Sequence, residues 1–153
     1  MLNFSLMGAG RIGKMHAGII DAHPDCKIQF IYDINQEFVN DLSSKYGATV
    51  ATSSNEALTS ENVDAVLIAS ATPTHTEFIT KGSNAGKAIF CEKPIDLDIN
   101  KVNDCREAIK NTSVPIQIGF NRRFDNSHRK LQQAKVANEI GKLEMLIITS
   151  RDP

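Results

Sequence analysis

The chain has 153 residues, 41% of them hydrophobic and 23% charged, with a formal net charge of −1. That length suits one domain with a substantial core, and the balanced charge gives no electrostatic reason to expect nucleic acid or an anionic membrane surface as a partner. No apolar run reaches the ~20 residues of a membrane span. The N-terminus shows neither the basic nor the apolar region of a signal peptide. Cys26, Cys91 and Cys105 are scattered and form no C-x-x-C pair, so no metal site or disulfide framework is expected, and a cytoplasmic location with reduced thiols follows.

Leu2, Phe4, Leu6 and Met7 make an apolar run of strand length that stops at Gly8-Ala9-Gly10-Arg11-Ile12-Gly13. From Ile12 the apolar residues take helical spacing. Strand, G-x-G-x-x-G turn and helix together predict a dinucleotide loop. Gly8 permits the turn, Gly10 lets backbone approach a pyrophosphate, and Gly13 lets the helix sit close on the strand. The first helical N–H groups, around Arg11 and Ile12, then face the phosphates. The helix is expected to reach Ala22 with Ile12, Met15, His16, Ile19 and Ile20 inward. His16, with no second histidine at i+3 or i+4, reads as a helix-packing residue rather than a ligand.

A second strand, 26–32, delivers Asp33, which lies 20 residues past Gly13. A dinucleotide site places there the carboxylate that binds the adenosine ribose hydroxyls. By itself Asp33 could equally cap the next helix; with the glycine loop the cofactor reading prevails. A carboxylate here repels a 2′-phosphate and Ile34 offers no cation to hold one, so NAD is preferred over NADP.

The remaining chain alternates strand and helix. A helix is expected over 36–46 and stops at Gly47. A short strand at 49–51 and a short helix at 55–58 follow. A strand over 64–69 leads to a helix capped by Thr74 and reaching Ala85. A strand at 87–91, a helix from Asp98 to Lys110 and a strand at 115–118 complete the pattern. This alternation predicts an α/β fold of Rossmann type, a doubly wound parallel sheet with helices on both faces. Ligands in such sheets bind beyond the carboxyl ends of the strands. Five strand ends carry polar residues: the glycine loop, Asp33, Ser70–His75, Glu92-Lys93-Pro94 and Asn121–Asp125.

These motifs, in this order and spacing, closely resemble the family of glucose–fructose oxidoreductases and inositol dehydrogenases (the Gfo/Idh/MocA type). Thr72-Pro73-Thr74-His75 and Cys91-Glu92-Lys93-Pro94 match its N-terminal half. Gly119-Phe120-Asn121-Arg122-Arg123-Phe124-Asp125 and the closing Ile148–Pro153 look most like its inositol 2-dehydrogenase branch. The resemblance implies an NAD cofactor and hydride transfer between it and a polyol or sugar CH–OH, myo-inositol being the favoured substrate. It implies that Lys93 is the active-site lysine, holding the substrate hydroxyl beside the nicotinamide, and that Glu92 helps place the cofactor's ribose. A cis bond is expected before Pro94. Ser70, Thr72, Pro73 and His75 would line the nicotinamide side, although His75 could instead simply pack at the start of its helix. Asn121 and Arg122 would face the substrate, an arginine fork suiting a polyol's oxygens. Arg123 is expected in a salt bridge with Asp125 or Glu92, and Arg129 and Lys130 on a solvated helix face.

Members of that family are about twice as long. The resemblance therefore implies domains at 1–122, binding the dinucleotide, and 123–153, a connecting helix and the first strand (from Lys142 to Thr149) of a domain that covers the substrate and forms homo-oligomers. The family's Asp-x-x-x-His segment, whose histidine serves as general acid/base, does not occur in this sequence. The chain is accordingly expected to be the cofactor half of a dehydrogenase, shortened artificially or in its gene, and catalytically incompetent alone. Leu143 and residues 145–148 would then lack cover and pair with a copy of the same strand. Two other readings stand beside it: a non-catalytic NAD-binding sensor or module completed by another chain, and a structural remnant that binds no nucleotide.

Overall fold

The computed structural model describes residues 1–149 and Arg151. The chain separates into two compact units, the first Met1–Gly119 and the second beginning at Phe120.

The first unit is a six-stranded, wholly parallel sheet. Strands β1 (Leu2–Met7), β2 (Cys26–Tyr32), β3 (Thr49–Val50), β4 (Ala65–Ile68), β5 (Ala88–Cys91) and β6 (Ile116–Ile118) lie in the order β3-β2-β1-β4-β5-β6. Helices α1 (Arg11–Asp21), α2 (Gln36–Tyr46), α3 (Ser54–Thr59), α4 (His75–Asn84) and α5 (Ile99–Ala108) join them. The direction of winding reverses at β1, between β2 and β4, which is where such sheets open a ligand crevice.

Neighbouring residues on a strand face opposite sides, and each side of this sheet has its own core. Leu6, Ile31 and Leu67 pack with Ala17 and Ile20 of α1 and Val39 and Leu42 of α2. Met7, Phe30, Val66 and Ile68 pack with Leu58 of α3, Phe78 and Ile79 of α4 and Cys105 of α5. β4 is buried along its whole length, as a central strand covered on both faces must be.

Three expectations need correction. Met15 and Ile19 are 50% and 60% exposed, while Gly13, Ala17 and Ile20 form the buried face of α1. The buried face thus carries two small residues and Ile20, while Met15 and Ile19 turn outward. Thr74 does not cap α4: Thr72–Thr74 form a tight 3-10 turn with Pro73 near its start, and the Thr74 hydroxyl donates to the Ala71 carbonyl at 2.8 Å. Residues 142–149 form no strand, consistent with a segment that has no neighbouring strand to pair with. Their apolar side chains at 143 and 145–148 are exposed. Ser150, Asp152 and Pro153 of the closing motif lie outside the described residues.

The second unit carries a 3-10 turn, Asn121–Phe124, and helix α6 (Asn126–Val136). Asp125 caps α6, accepting from the N–H groups of Ser127 and His128 at 3.0 Å each. The His128 ring, 2.8 Å from the same carboxylate, and those N–H groups hold Asp125 down at about 2.

The turn after β1 is sterically determined. Gly8 has φ +101°, and a Cβ on it would lie 2.6 Å from the Ala69 carbonyl carbon and the Ser70 nitrogen. A Cβ on Gly13 would lie 1.9 Å from the Gly8 carbonyl oxygen. Neither obstacle is a movable side chain. Gly13→Ala is therefore expected to cost about 3 kcal/mol, read as a lowered urea midpoint with unchanged slope.

Candidate functional site

Beyond the carboxyl ends of β1, β2 and β4 lies a hollow of about 360 Å³, bounded by Gly8, Gly10, Ile12, Asp33, Ser70 and Phe78 among others. Its floor is the glycine loop. α1 begins directly at Gly10, and the first turn of a helix leaves its N–H groups without intrahelical partners. Arg11 and Ile12, in that first turn, are among the residues lining the hollow. No acidic side chain occupies the first turn of α1, so the positive end of the helix dipole is not neutralised locally.

Asp33 is tied to this loop. Its Oδ2 accepts from the Ala9 N–H at 2.7 Å, and its Oδ1 accepts from the Asn35 N–H at 2.8 Å. It does not cap α2. That role belongs to Asn35, whose side chain accepts from the Glu37 and Phe38 N–H groups. A carboxylate has about four lone-pair sites, so two remain to accept hydroxyl donors. The same bond changes the reading of Ala9: its N–H is used by Asp33 and its side chain is fully buried. Ala9 thus contributes its N–H and its buried methyl group to the loop itself.

Ser70 lies on the wall, its hydroxyl 2.7 Å from that of Thr74. Thr72 and Pro73 line a separate hollow with Asp96, Asp98 and Lys101. His75, expected to line the nicotinamide side, is 1% exposed. Its Nδ1 is 2.7 Å from the Pro94 carbonyl oxygen and its Nε2 is 3.0 Å from the Ser70 carbonyl oxygen. A buried ring with both nitrogens on backbone carbonyls has no face left for a cofactor; it braces the β4 and β5 ends instead. A neutral imidazole donates to only one such oxygen, whereas the doubly protonated ring satisfies both.

At the end of β5, Glu92 is partly buried and Lys93 exposed, followed by a cis Lys93–Pro94 bond. Among the described residues the Lys93 ammonium has no hydrogen-bond or ion-pair partner. The Glu92 carboxylate receives His16 Nε2 at 2.8 Å and, at 3.3 Å, the Lys93 N–H. Burial first, then the negative charge of Glu92, pushes the neighbouring Cys91 thiol up to about 12, which makes it a poor nucleophile.

Asn121 and Arg122 belong to the second unit. There Arg122, Arg123, His128 and Arg129 line a hollow of about 610 Å³, and Arg129 and Lys130 are exposed as expected. Asp125 pairs with His128, and among the described residues no ion pair joins Arg123 to Asp125 or Glu92.

Sequence reasoning missed Tyr32, Ile34 and Phe78 as walls of the hollow. Ile34 is 95% exposed, and an apolar residue immediately after a strand-end carboxylate was its only signal. It also missed the contact of His16 with a residue 76 positions away, for which local spacing carries no sign.

The free chain fits a dinucleotide. A Cβ on Gly10 would meet no atom within 4 Å, so this glycine is not required by packing and its missing side chain leaves room over the helix start. Open N–H groups, spare Asp33 acceptors and the apolar Ile34 surround that room.

Comparison with known proteins bears on the same residues. A family model described as "Oxidoreductase family, NAD-binding Rossmann fold" (GFO_IDH_MocA) matches residues 2–120. An inositol 2-dehydrogenase of Rhizobium meliloti is 40% identical over 153 residues, spanning 99% of this chain and 46% of that protein. A myo-inositol 2-dehydrogenase of Thermotoga maritima is 37% identical with the same coverage. Among solved structures, scyllo-inositol dehydrogenase from Lactobacillus casei with bound NAD(H) and scyllo-inositol superposes with a TM-score of 0.85 at 30% identity, covering 92% of this chain and 42% of that one. The chain thus spans somewhat under half the length of the relatives it matches. Among the described residues no helix is long and apolar enough to cross a membrane.

The His75 brace makes a direct prediction. His75→Leu removes the ring that lies between the Ser70 and Pro94 carbonyl oxygens and should destabilise the fold by about 2–4 kcal/mol. Urea denaturation followed by circular dichroism checks it.

Proposed function

The chain belongs to the oxidoreductase family with an NAD-binding Rossmann fold, and from that premise we propose that it is the cofactor-holding half of an NAD-dependent polyol dehydrogenase acting on inositol. The observation that carries this reading is the Asp33–Ala9 bond at the edge of an open helix start. One carboxylate fixes the loop for a pyrophosphate and keeps acceptors for the two ribose hydroxyls. A 2′-phosphate would meet that carboxylate and be repelled.

Residue roles follow from position. Gly10, Arg11, Ile12 and the close packing at Gly8 and Gly13 serve the pyrophosphate. The order of the strands carries the dinucleotide from Asp33 at β2, across β1, toward Ser70, Glu92 and Lys93 at β4 and β5. Bound NAD supplies the hydride acceptor. Glu92 orients the nicotinamide ribose. Lys93, a cation without a partner among the described residues, donates a hydrogen bond to the substrate hydroxyl and favours its loss of a proton. Thr72 and Pro73 shape the turn behind Ser70.

The domain organisation in this reading is a dinucleotide domain over 1–122, with 123–153 leading into a substrate and oligomerisation domain. The group that takes the hydroxyl proton, an Asp-x-x-x-His histidine, is not within this sequence. Without it and the facing wall the substrate carbon is not held against the nicotinamide, and losing such geometry costs many orders of magnitude. The 153-residue chain should therefore bind NADH without oxidising myo-inositol.

Fluorescence titration with NADH tests this. Gly10→Ala should melt like wild type yet bind NADH at least tenfold more weakly, as a Cβ in the approach to the pyrophosphate would cause. Asp33→Asn, which can still accept from Ala9, should narrow the preference for NADH over NADPH. Wild type that binds no NADH, or Gly10→Ala that binds as well as wild type, contradicts the reading. Turnover of myo-inositol by this chain alone contradicts the assignment of the proton acceptor elsewhere.

A further inference from the structure

His16 sits one turn into α1, the helix that starts at the glycine loop, yet its ring reaches across to the end of β5. Its Nε2 lies 2.8 Å from Glu92 Oε1, with the two side chains 12% and 21% exposed. The ring also stands edge-on to Phe90, with centroids 5.3 Å apart and planes at 64°. A carboxylate only accepts, so Nε2 carries the proton of this contact. Glu92 is confined on other sides too. Its Oε2 faces the Lys93 N–H at 3.3 Å, and a Cβ on Gly119 would come within 3.3 Å of both carboxylate oxygens. Gly119 thus leaves room for the carboxylate in this one place. The Phe90 contact fixes the ring that aims at it.

We propose that His16 is a positioning residue for Glu92. It holds the carboxylate in the orientation that receives the nicotinamide ribose, and so couples the helix under the pyrophosphate to the Glu92–Lys93 turn. The inference rests on the NAD-binding reading above. Without His16, the Glu92 carboxylate keeps, among the described residues, one long bond to its own neighbour's N–H and is free to leave the ribose position. His16 does not touch the dinucleotide; it acts through Glu92.

Two probes separate this from a merely structural role: NADH, which reaches Glu92, and ADP, which ends at the pyrophosphate. His16→Leu keeps an apolar contact with Phe90 and should weaken NADH binding about tenfold, the worth of a hydrogen bond to a charged group, while ADP binding and the melting temperature of the free chain stay unchanged. His16→Gln, whose amide can occupy the place of Nε2, should restore most of the NADH affinity. Glu92→Ala should weaken NADH on its own, and His16→Leu added to it should do nothing more. If His16→Leu does not fold, the same cycle is read with His16→Asn, whose amide stops short of the carboxylate. An unchanged NADH affinity, an equal loss for NADH and ADP, or additive losses with Glu92→Ala each overturn the proposal while the NAD reading stands. Wild type that binds neither probe removes the NAD reading, and this inference with it.

Discussion

The bond between the Asp33 carboxylate and the Ala9 N–H, 2.7 Å long, is the constraint on which the site depends. It joins the end of β2 to the turn leaving β1 and fixes where α1 begins. Steric limits reinforce it: Gly8 abuts the Ala69–Ser70 backbone, and Gly13 abuts Gly8 itself. Little freedom remains in a loop so enclosed. Its open N–H groups are therefore presented without the ordering cost that a flexible loop would pay on binding an anion.

The other side of the crevice is organised by two histidines used for different ends. His75, inside the fold, ties the Ser70 and Pro94 carbonyls together and so fixes the spacing between the β4 and β5 ends. His16, nearer the surface, reaches Glu92 from the helix that also carries the glycine loop. Both contacts run between elements distant in sequence. Together they make the glycine loop, Ser70 and the Glu92–Pro94 turn one connected framework within the first unit. The Lys93 ammonium, at the end of that framework, has no partner among the described residues.

Much of the fold was legible because β4 is a continuous apolar run bounded by polar strand ends, and because Gly8, Gly10 and Gly13 occur at a spacing with a single geometric use. The environments of Gly8 and Gly13 match the steric part of that reading. The inward face of α1 was misread because hydrophobicity was weighed over size: a helix this close to the sheet buries Gly13 and Ala17 and turns Met15 and Ile19 outward. Ala9 and His75 were expected against the cofactor as members of their motifs, yet the Ala9 N–H is taken by a side chain 24 positions away and the buried His75 ring lies between two carbonyls. Such pairings are tertiary facts, and no local periodicity encodes them. The strand expected over 142–149 failed for a related reason, since apolar content alone does not supply a pairing partner.

The account's central claim is that one groove, from Asp33 across α1's first turn to the Glu92–Lys93 turn, receives a dinucleotide lengthwise. Backbone amide chemical shifts of the 15N-labelled chain, followed during addition of NADH, test it most directly. The account predicts that the largest changes fall at residues 10–13, at Ile34, at Ser70 and at Lys93, with α5 and the outer face of α2 undisturbed. Changes confined to the neighbourhood of α4 and α5, or saturation of the Asp33 side with no response at Lys93, would contradict it.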